Sequence, residues 1–187
     1  MLIDLSILVN TDAGKEAADN ERMVSFGHLG THFDVMNKEF PLDYVRRDGL
    51  VFNVRGISDR DIDIQDIDLY LIKPGMFVAF NTNYIEETVY GSKLYFSNHP
   101  QLSNELIDEL LQRKISIIGV DFPGVRRGAE HTPKDQYCAD KGVFIVENLC
   151  NLQEIVMHNN SKHCFINTYP VKFAGLTGLP CRVVAEV

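Results

Sequence analysis

Two histidines and an aspartate lie close together in Gly27-His28-Leu-Gly-Thr-His32-Phe-Asp34, and no other stretch of the sequence gathers reactive side chains so tightly. On extended backbone alternate side chains share a face, so His28, Gly30, His32 and Asp34 are expected to project together, with Gly30 leaving room between the imidazoles. On a helix the two histidines would still meet, but Asp34 would lie well round the cylinder, and two glycines with Thr31 disfavour helix. Two neutral imidazoles and a carboxylate form a tridentate site suited to zinc, manganese or ferrous iron. Three protein ligands leave positions where a water can bind, lose a proton near neutral pH and attack a carbonyl. An accidental pairing of histidines, with Asp34 capping a turn, is the alternative that spacing alone leaves open.

Two later segments offer further donors. Glu147 falls at the end of an expected strand, and Glu130-His131-Thr-Pro-Lys-Asp135 precedes the short helix that feeds that strand. Taken singly, a surface carboxylate or a loop histidine explains each of them.

The elements that must carry these residues follow from periodicity and turn chemistry. Residues 2–9 read as an opening strand, Asn10-Thr-Asp-Ala-Gly14 as a turn, and the residues to Glu21 as a polar connection. Residues 49–55 alternate as a strand does, and the acidic run 59–68 reads as a solvated connection. Lys73-Pro-Gly75 is a turn that launches a strand over 76–80. Ser103 is a helix N-cap, after which Leu106, Ile107, Leu110 and Leu111 continue an apolar stripe begun at Leu102, as far as Lys114. The β-branched run 115–120 is a buried strand ending at Asp121. Residues 134–141 form a second helix stopped by Gly142, followed by a strand over 143–146 that delivers Glu147, and 181–187 form a closing strand. The fold class is α/β in the mixed α+β sense, with residues 1–187 as one domain.

Composition narrows the partners. A chain of 187 residues that is 45% hydrophobic can bury a full core without disulfides. Cys138, Cys150, Cys164 and Cys181 form no CxxC pair and read as reduced thiols, used as small core filler. The net charge of -8 repels phosphate backbones and anionic lipid, so neither nucleic acid nor membrane is an expected partner. The N-terminus lacks a basic start, and no apolar stretch approaches the ~20 residues that span a bilayer, so a cytoplasmic location is expected.

The sequence resembles the cyclase family of metal-dependent hydrolases, the group of bacterial kynurenine formamidase and isatin hydrolase. That family's signature reads approximately His-x-Gly-Thr-His-x-Asp-x-Pro-x-His, and His28-Leu-Gly-Thr-His-Phe-Asp34 fills its first seven places. Asp4-Leu-Ser6, Lys73-Pro-Gly75, Pro100-Gln-Leu-Ser103, Ile118-Gly-Val-Asp121 and Val146-Glu-Asn-Leu149 extend the resemblance over nearly the whole chain. It implies a mixed α/β domain with a sheet or barrel-like core flanked by helices, assembled as a homodimer or larger. It further implies one or two divalent ions, zinc or manganese, and hydrolysis of a small formamide, cyclic amide or lactone. Carried over by position, His28, His32, Asp34 and Glu147 match metal ligands, with Asp34 bridging if two ions bind.

The chain departs from the pattern twice. Met36 and Lys38 stand where the family has Pro and its proton-transferring His, and Asp135 stands where the family has a His ligand twelve places before the Glu. An oxygen ligand there favours harder metals such as manganese or magnesium. His131, four places before Asp135, can stand in either as a ligand or as the catalytic acid/base. Lys38 is either a proton donor with a lowered pKa or an exposed lysine beside Glu39. Arg126 and Arg127 are candidates to fix a substrate carboxylate. Loss of catalysis, leaving a metal-dependent small-molecule binder, is the competing outcome.

Overall fold

The computed structural model describes residues 1–9 and 20–187. The turn expected at 10–14, and most of the polar connection after it, lie outside the described residues.

The continuous apolar runs of the sequence become strands buried on both faces. β1 (Leu2–Asp4), β2 (His32–Asp34), β3 (Arg46–Asn53), β4 (Phe77–Asn81), β5 (Ile117–Val120), β6 (Phe144–Glu147), β7 (Ser161–Pro170) and β8 (Gly178–Glu186) belong to one mixed sheet. β3, β4, β5 and β6 are parallel neighbours. β4, β5 and β6 are buried at every position, which is why their sequences do not alternate. β6 pairs antiparallel with β2, β2 with β8, β8 with β7 and β7 with β3, so seven strands close into a barrel. β1 extends the ladder at the far end of β8, with Leu2 opposite Glu186. Closure leaves the ring without the unpaired edges that invite aggregation.

Side chains of alternate parity enter two cores. One takes a contribution from every strand, including Ile3, Phe33, Val51, Phe77, Ile117, Val146, Ile166 and Val183. The other collects Leu50, Phe52, Val78, Phe80, Ile118, Val120 and Ile145 under Leu106, Ile107 and Leu110. Those three leucine and isoleucine side chains belong to one of the six helices, which are α1 (Glu21–Ser25), α2 (Tyr84–Glu87), α3 (Lys93–Ser97), α4 (Asn104–Gln112), α5 (His131–Asp140) and α6 (Leu152–Val156) among the described residues. α4 starts as its sequence requires, with the Ser103 hydroxyl accepting the Leu106 N–H at 3.0 Å.

The fold departs from expectation in three places. The opening strand stops at Asp4, with Ser6 making only an isolated bridge to Leu149. The acidic connection buries Ile62 completely, so it is anchored rather than merely solvated. β7 carries no legible pattern, because only residues 166–168 of its ten are buried and polar side chains occupy most of the remainder. Among the described residues, no helix is long and apolar enough to cross a membrane.

Candidate metal centre

The register of one strand pair makes the centre. β2 and β6 run antiparallel with His32 directly opposite Glu147 and Asp34 opposite Ile145. Side chains opposed in this way stand roughly 5 Å apart on one face, and Asp34, two residues from His32, shares that face. The result is His32 Nε2 at 3.5 Å from Glu147 Oε2 and 3.7 Å from Asp34 Oδ1. α5 adds two side chains one helical turn apart. His131 Nε2 lies 3.0 Å from Glu147 Oε1 and 3.2 Å from Asp135 Oδ2. Gly124 makes room for that ring: a Cβ there would lie 2.9 Å from His131 Nε2.

His28 arrives by a different route from the one its spacing predicts. Only residues 32–34 are strand, and His28 enters from a turn shaped by Gly27 and Gly30, whose φ angles are 81° and 73°. Its Nδ1 still reaches Asp34 Oδ1 at 3.0 Å and His32 Nε2 at 3.1 Å. Gly30 does not leave room between the imidazoles, because a Cβ there would point to Val9 at 3.0 Å. Its contribution is the left-handed turn and a carbonyl that accepts from His32 Nδ1 at 2.9 Å.

All six expected donors therefore converge. They form two overlapping sets, His28-His32-Asp34 and Asp34-His131-Asp135-Glu147, and within each set the donor atoms lie within 4.8 Å of one another. Ligands about 2.1 Å from a common ion stand roughly 3 to 3.5 Å apart, the range of most distances above. The imidazoles are turned to suit. A carbonyl can only accept, so His32 Nδ1 carries a proton and Nε2 is the nitrogen turned inward, free to ligate once it gives up the proton it shares with Asp34, while His28 Nε2 is held by Thr177 Oγ1 at 2.8 Å.

Electrostatics also call for a cation. Asp34, Asp135 and Glu147 are 2%, 3% and 4% exposed, and Asp34 Oδ2 and Asp135 Oδ1 are buried without a hydrogen-bond partner among the described residues. Burial, then the charge of Asp34, raises the pKa of Glu147 and of Asp135. Asp34 keeps its charge: burial opposes ionisation, but the hydrogen bonds and charges of His28 and His32 outweigh it. His32 is raised, because the hydrogen bond and charge of Asp34, with the charge of Glu147, overcome the effect of burial. Protons thus neutralise a pocket whose acceptor atoms a divalent ion would satisfy directly.

Neighbouring residues correct other expectations. Lys38 Nζ pairs with Asp140 Oδ1 at 2.7 Å on the surface, so it is the exposed lysine and not a proton donor to the cluster. The backbone gives the reason. Met36 sits at φ 57°, a conformation closed to proline, so the chain after Asp34 cannot follow the path that a Pro at this place would set. Met36→Pro is therefore expected to cost about 3 kcal/mol or more, seen as a lowered melting temperature, and Lys38→His alone to leave metal affinity unchanged. Arg126 is unavailable to substrate, since Asp61, Glu130 and the Leu102 carbonyl take its guanidinium at 2.6, 2.8 and 2.7 Å. Arg127 is half-buried, and among the described residues its guanidinium has no hydrogen-bond, ion-pair or aromatic partner.

The fold and the donor set together define a class: α+β proteins with a closed mixed barrel and a buried His/Asp/Glu centre between one strand pair and a helix. Residues 3–127 match the Cyclase family model, and the chain belongs to that family. No curated protein sequence matches it significantly. Solved structures share the fold at low identity. A potential metal-dependent hydrolase with cyclase activity superposes with a TM-score of 0.74 at 20% identity, covering 99% of this chain and 98% of that one. Isatin hydrolase A from Labrenzia aggregata, bound to benzyl benzoate, gives 0.73 at 18%, covering 100% and 93%. An isatin hydrolase bound to the product analogue thioisatinate gives 0.71 at 18%, covering 84% and 71%.

Proposed function

We propose that this chain is a metal-dependent hydrolase that opens the C–N bond of a small formamide or cyclic amide, or the ester bond of a lactone, with one or two zinc or manganese ions. The observation that carries the reading is the inward convergence of three imidazoles and three buried carboxylates, two of whose oxygens have no hydrogen-bond partner among the described residues. When bound, a divalent cation supplies Lewis acidity, acidifying water and polarising a carbonyl. His28, His32, Asp34 and Glu147 would hold it, with Asp135 as an additional oxygen donor and Asp34 shared between the two sets.

His28 and His131 are the members open to solvent, at 27% and 35% side-chain exposure, against 2–5% for the others. His131 is held by two carboxylates, so it is the group placed to carry a proton to the departing nitrogen or oxygen. Arg127, left free among the described residues, suits an anionic group on the substrate or the carboxylate that ring opening releases. We further place the protein in the cytoplasm as a homodimer or larger assembly acting on a small molecule. A second reading, a metal-dependent binder without turnover, is favoured by one observation: Lys38, at the place of the family's proton-transferring His, faces Asp140.

A panel of N-formyl aromatic amines, isatin-like cyclic amides and lactones separates the two. The metal-loaded protein is expected to turn over one class, to lose that activity to a chelator and to regain it with manganese or zinc. Tight binding of a panel member without turnover of any establishes the binder instead.

A further inference from the structure

The Gly30 carbonyl accepts two hydrogen bonds, from His32 Nδ1 at 2.9 Å and from Asn148 Nδ2 at 2.8 Å. Asn148 is 1% exposed and its side chain is fully engaged, with Oδ1 accepting from the Tyr95 hydroxyl at 2.7 Å. Its own carbonyl accepts from Thr31 Oγ1 at 2.7 Å. Asn148 lies at φ 60°, a left-handed conformation that asparagine tolerates better than most residues with a Cβ. The other end of the Gly30 unit is also tied, its N–H donating to Tyr90 Oη at 2.7 Å. Asn148, next to Glu147 and distant in sequence from Gly30, thus clamps the carbonyl to which the His32 ring is hinged, while Tyr90 holds the N–H of the same residue.

We propose that Asn148 is a positioning residue: through the Gly30 carbonyl it shares with His32, it fixes that ring's rotation and tautomer, so that Nε2 faces Asp34 and Glu147. This rests on the reading of the cluster as a metal centre. Partners that hold a ligating imidazole from behind are commonly worth 10- to 100-fold in metal affinity. An amide is required at this position, because its N–H donates to a carbonyl that a carboxylate would repel. Asn148→Asp keeps the size and the tolerance for positive φ while turning the donor that faces the Gly30 carbonyl into an acceptor. Phe at 95 leaves the Asn148 backbone untouched and removes the hydroxyl that holds its amide.

The test pairs manganese titration of metal-free protein with NMR of the His32 ring N–H. Asn148→Asp is expected to weaken manganese about 10- to 100-fold, and Tyr95→Phe to weaken it less in the same direction. The Nδ1 proton is expected to exchange slowly in the wild type and faster in both variants. A purely structural role would lower the melting temperature while leaving both readouts of the folded protein unchanged. Affinity within about twofold of wild type, with an unaltered Nδ1 proton, overturns the proposal. Should Asn148→Asp fail to fold, Tyr95→Phe carries the same two readouts. If the wild type itself takes up no manganese, the metal-centre reading fails, while the proton exchange, which needs no metal, still decides the role of Asn148.

Discussion

Glu147→Gln is expected to stabilise the metal-free protein and to cripple its uptake of metal. The two effects share one cause. Glu147 is 4% exposed and faces Asp34, and a neutral amide of the same shape removes a carboxyl that burial and the neighbouring charge force to hold a proton. At pH 8 the metal-free wild type bears the cost of holding that proton or of burying the charge, and the amide bears neither. The relief is expected as a rise in the melting temperature of the metal-free variant. A divalent ion meanwhile loses a charged oxygen donor, and its affinity should fall on the order of 100-fold or more. Thermal melts of chelator-treated protein, with and without added manganese, measure both. A variant less stable than wild type that binds manganese as tightly would show that Glu147 packs structurally and does not serve the centre.

The second large effect is a pH dependence of the stabilisation that metal confers. Asp135 and Glu147 have pKa values raised on folding, so they contribute stability that is present below their unfolded values and is lost as pH rises through their folded ones. His32 acts in the same direction, being raised from its ordinary value and losing its contribution as pH climbs through the folded value. Above pH 5 the metal-free protein should therefore weaken with rising pH, by up to about 1.4 kcal/mol per unit for each proton released. A bound divalent ion replaces those protons, so the difference in melting temperature with and without manganese should widen steadily from pH 5 to pH 8. Asp121, whose carboxyl burial pushes up to about 7, adds to the decline in both forms and cancels from the difference. A metal-induced shift that stays constant across this range would mean that the cation does not displace protons from this cluster.

The sequence made the first three donors legible because they are local: His28, His32 and Asp34 lie on one short segment, and any compact path brings them close. It located Glu147 and α5 as well, since Gly142 and the apolar run after it mark a helix stop and a strand end. It could not show that β2 pairs with β6 so that His32 faces Glu147, because register between strands more than a hundred residues apart is set by the whole barrel. The route of His28 was misread for a related reason: alternation assumes strand, while Gly27 and Gly30 turn the chain. Thr177, Tyr90 and Tyr95 carry no signal of their own, as hydroxyls whose partners only the fold supplies. Asn148 did carry one, standing beside Glu147 in Val146-Glu-Asn-Leu149, where an asparagine after a buried strand end fits a left-handed turn. Lys38 was legible as a departure from the family pattern, but its direction was not, because that depends on the φ of Met36.

Diffraction from a crystal of manganese-loaded protein, recorded where manganese scatters anomalously, decides whether the side chains of the cluster bind a cation. An anomalous peak is expected about 2.0–2.3 Å from His28 Nδ1, His32 Nε2 and an Asp34 oxygen, with any second peak between Asp34, Asp135 and Glu147, beside His131. A fully loaded crystal with no peak among these six side chains, or with its only peak elsewhere on the surface, would contradict the metal-centre reading.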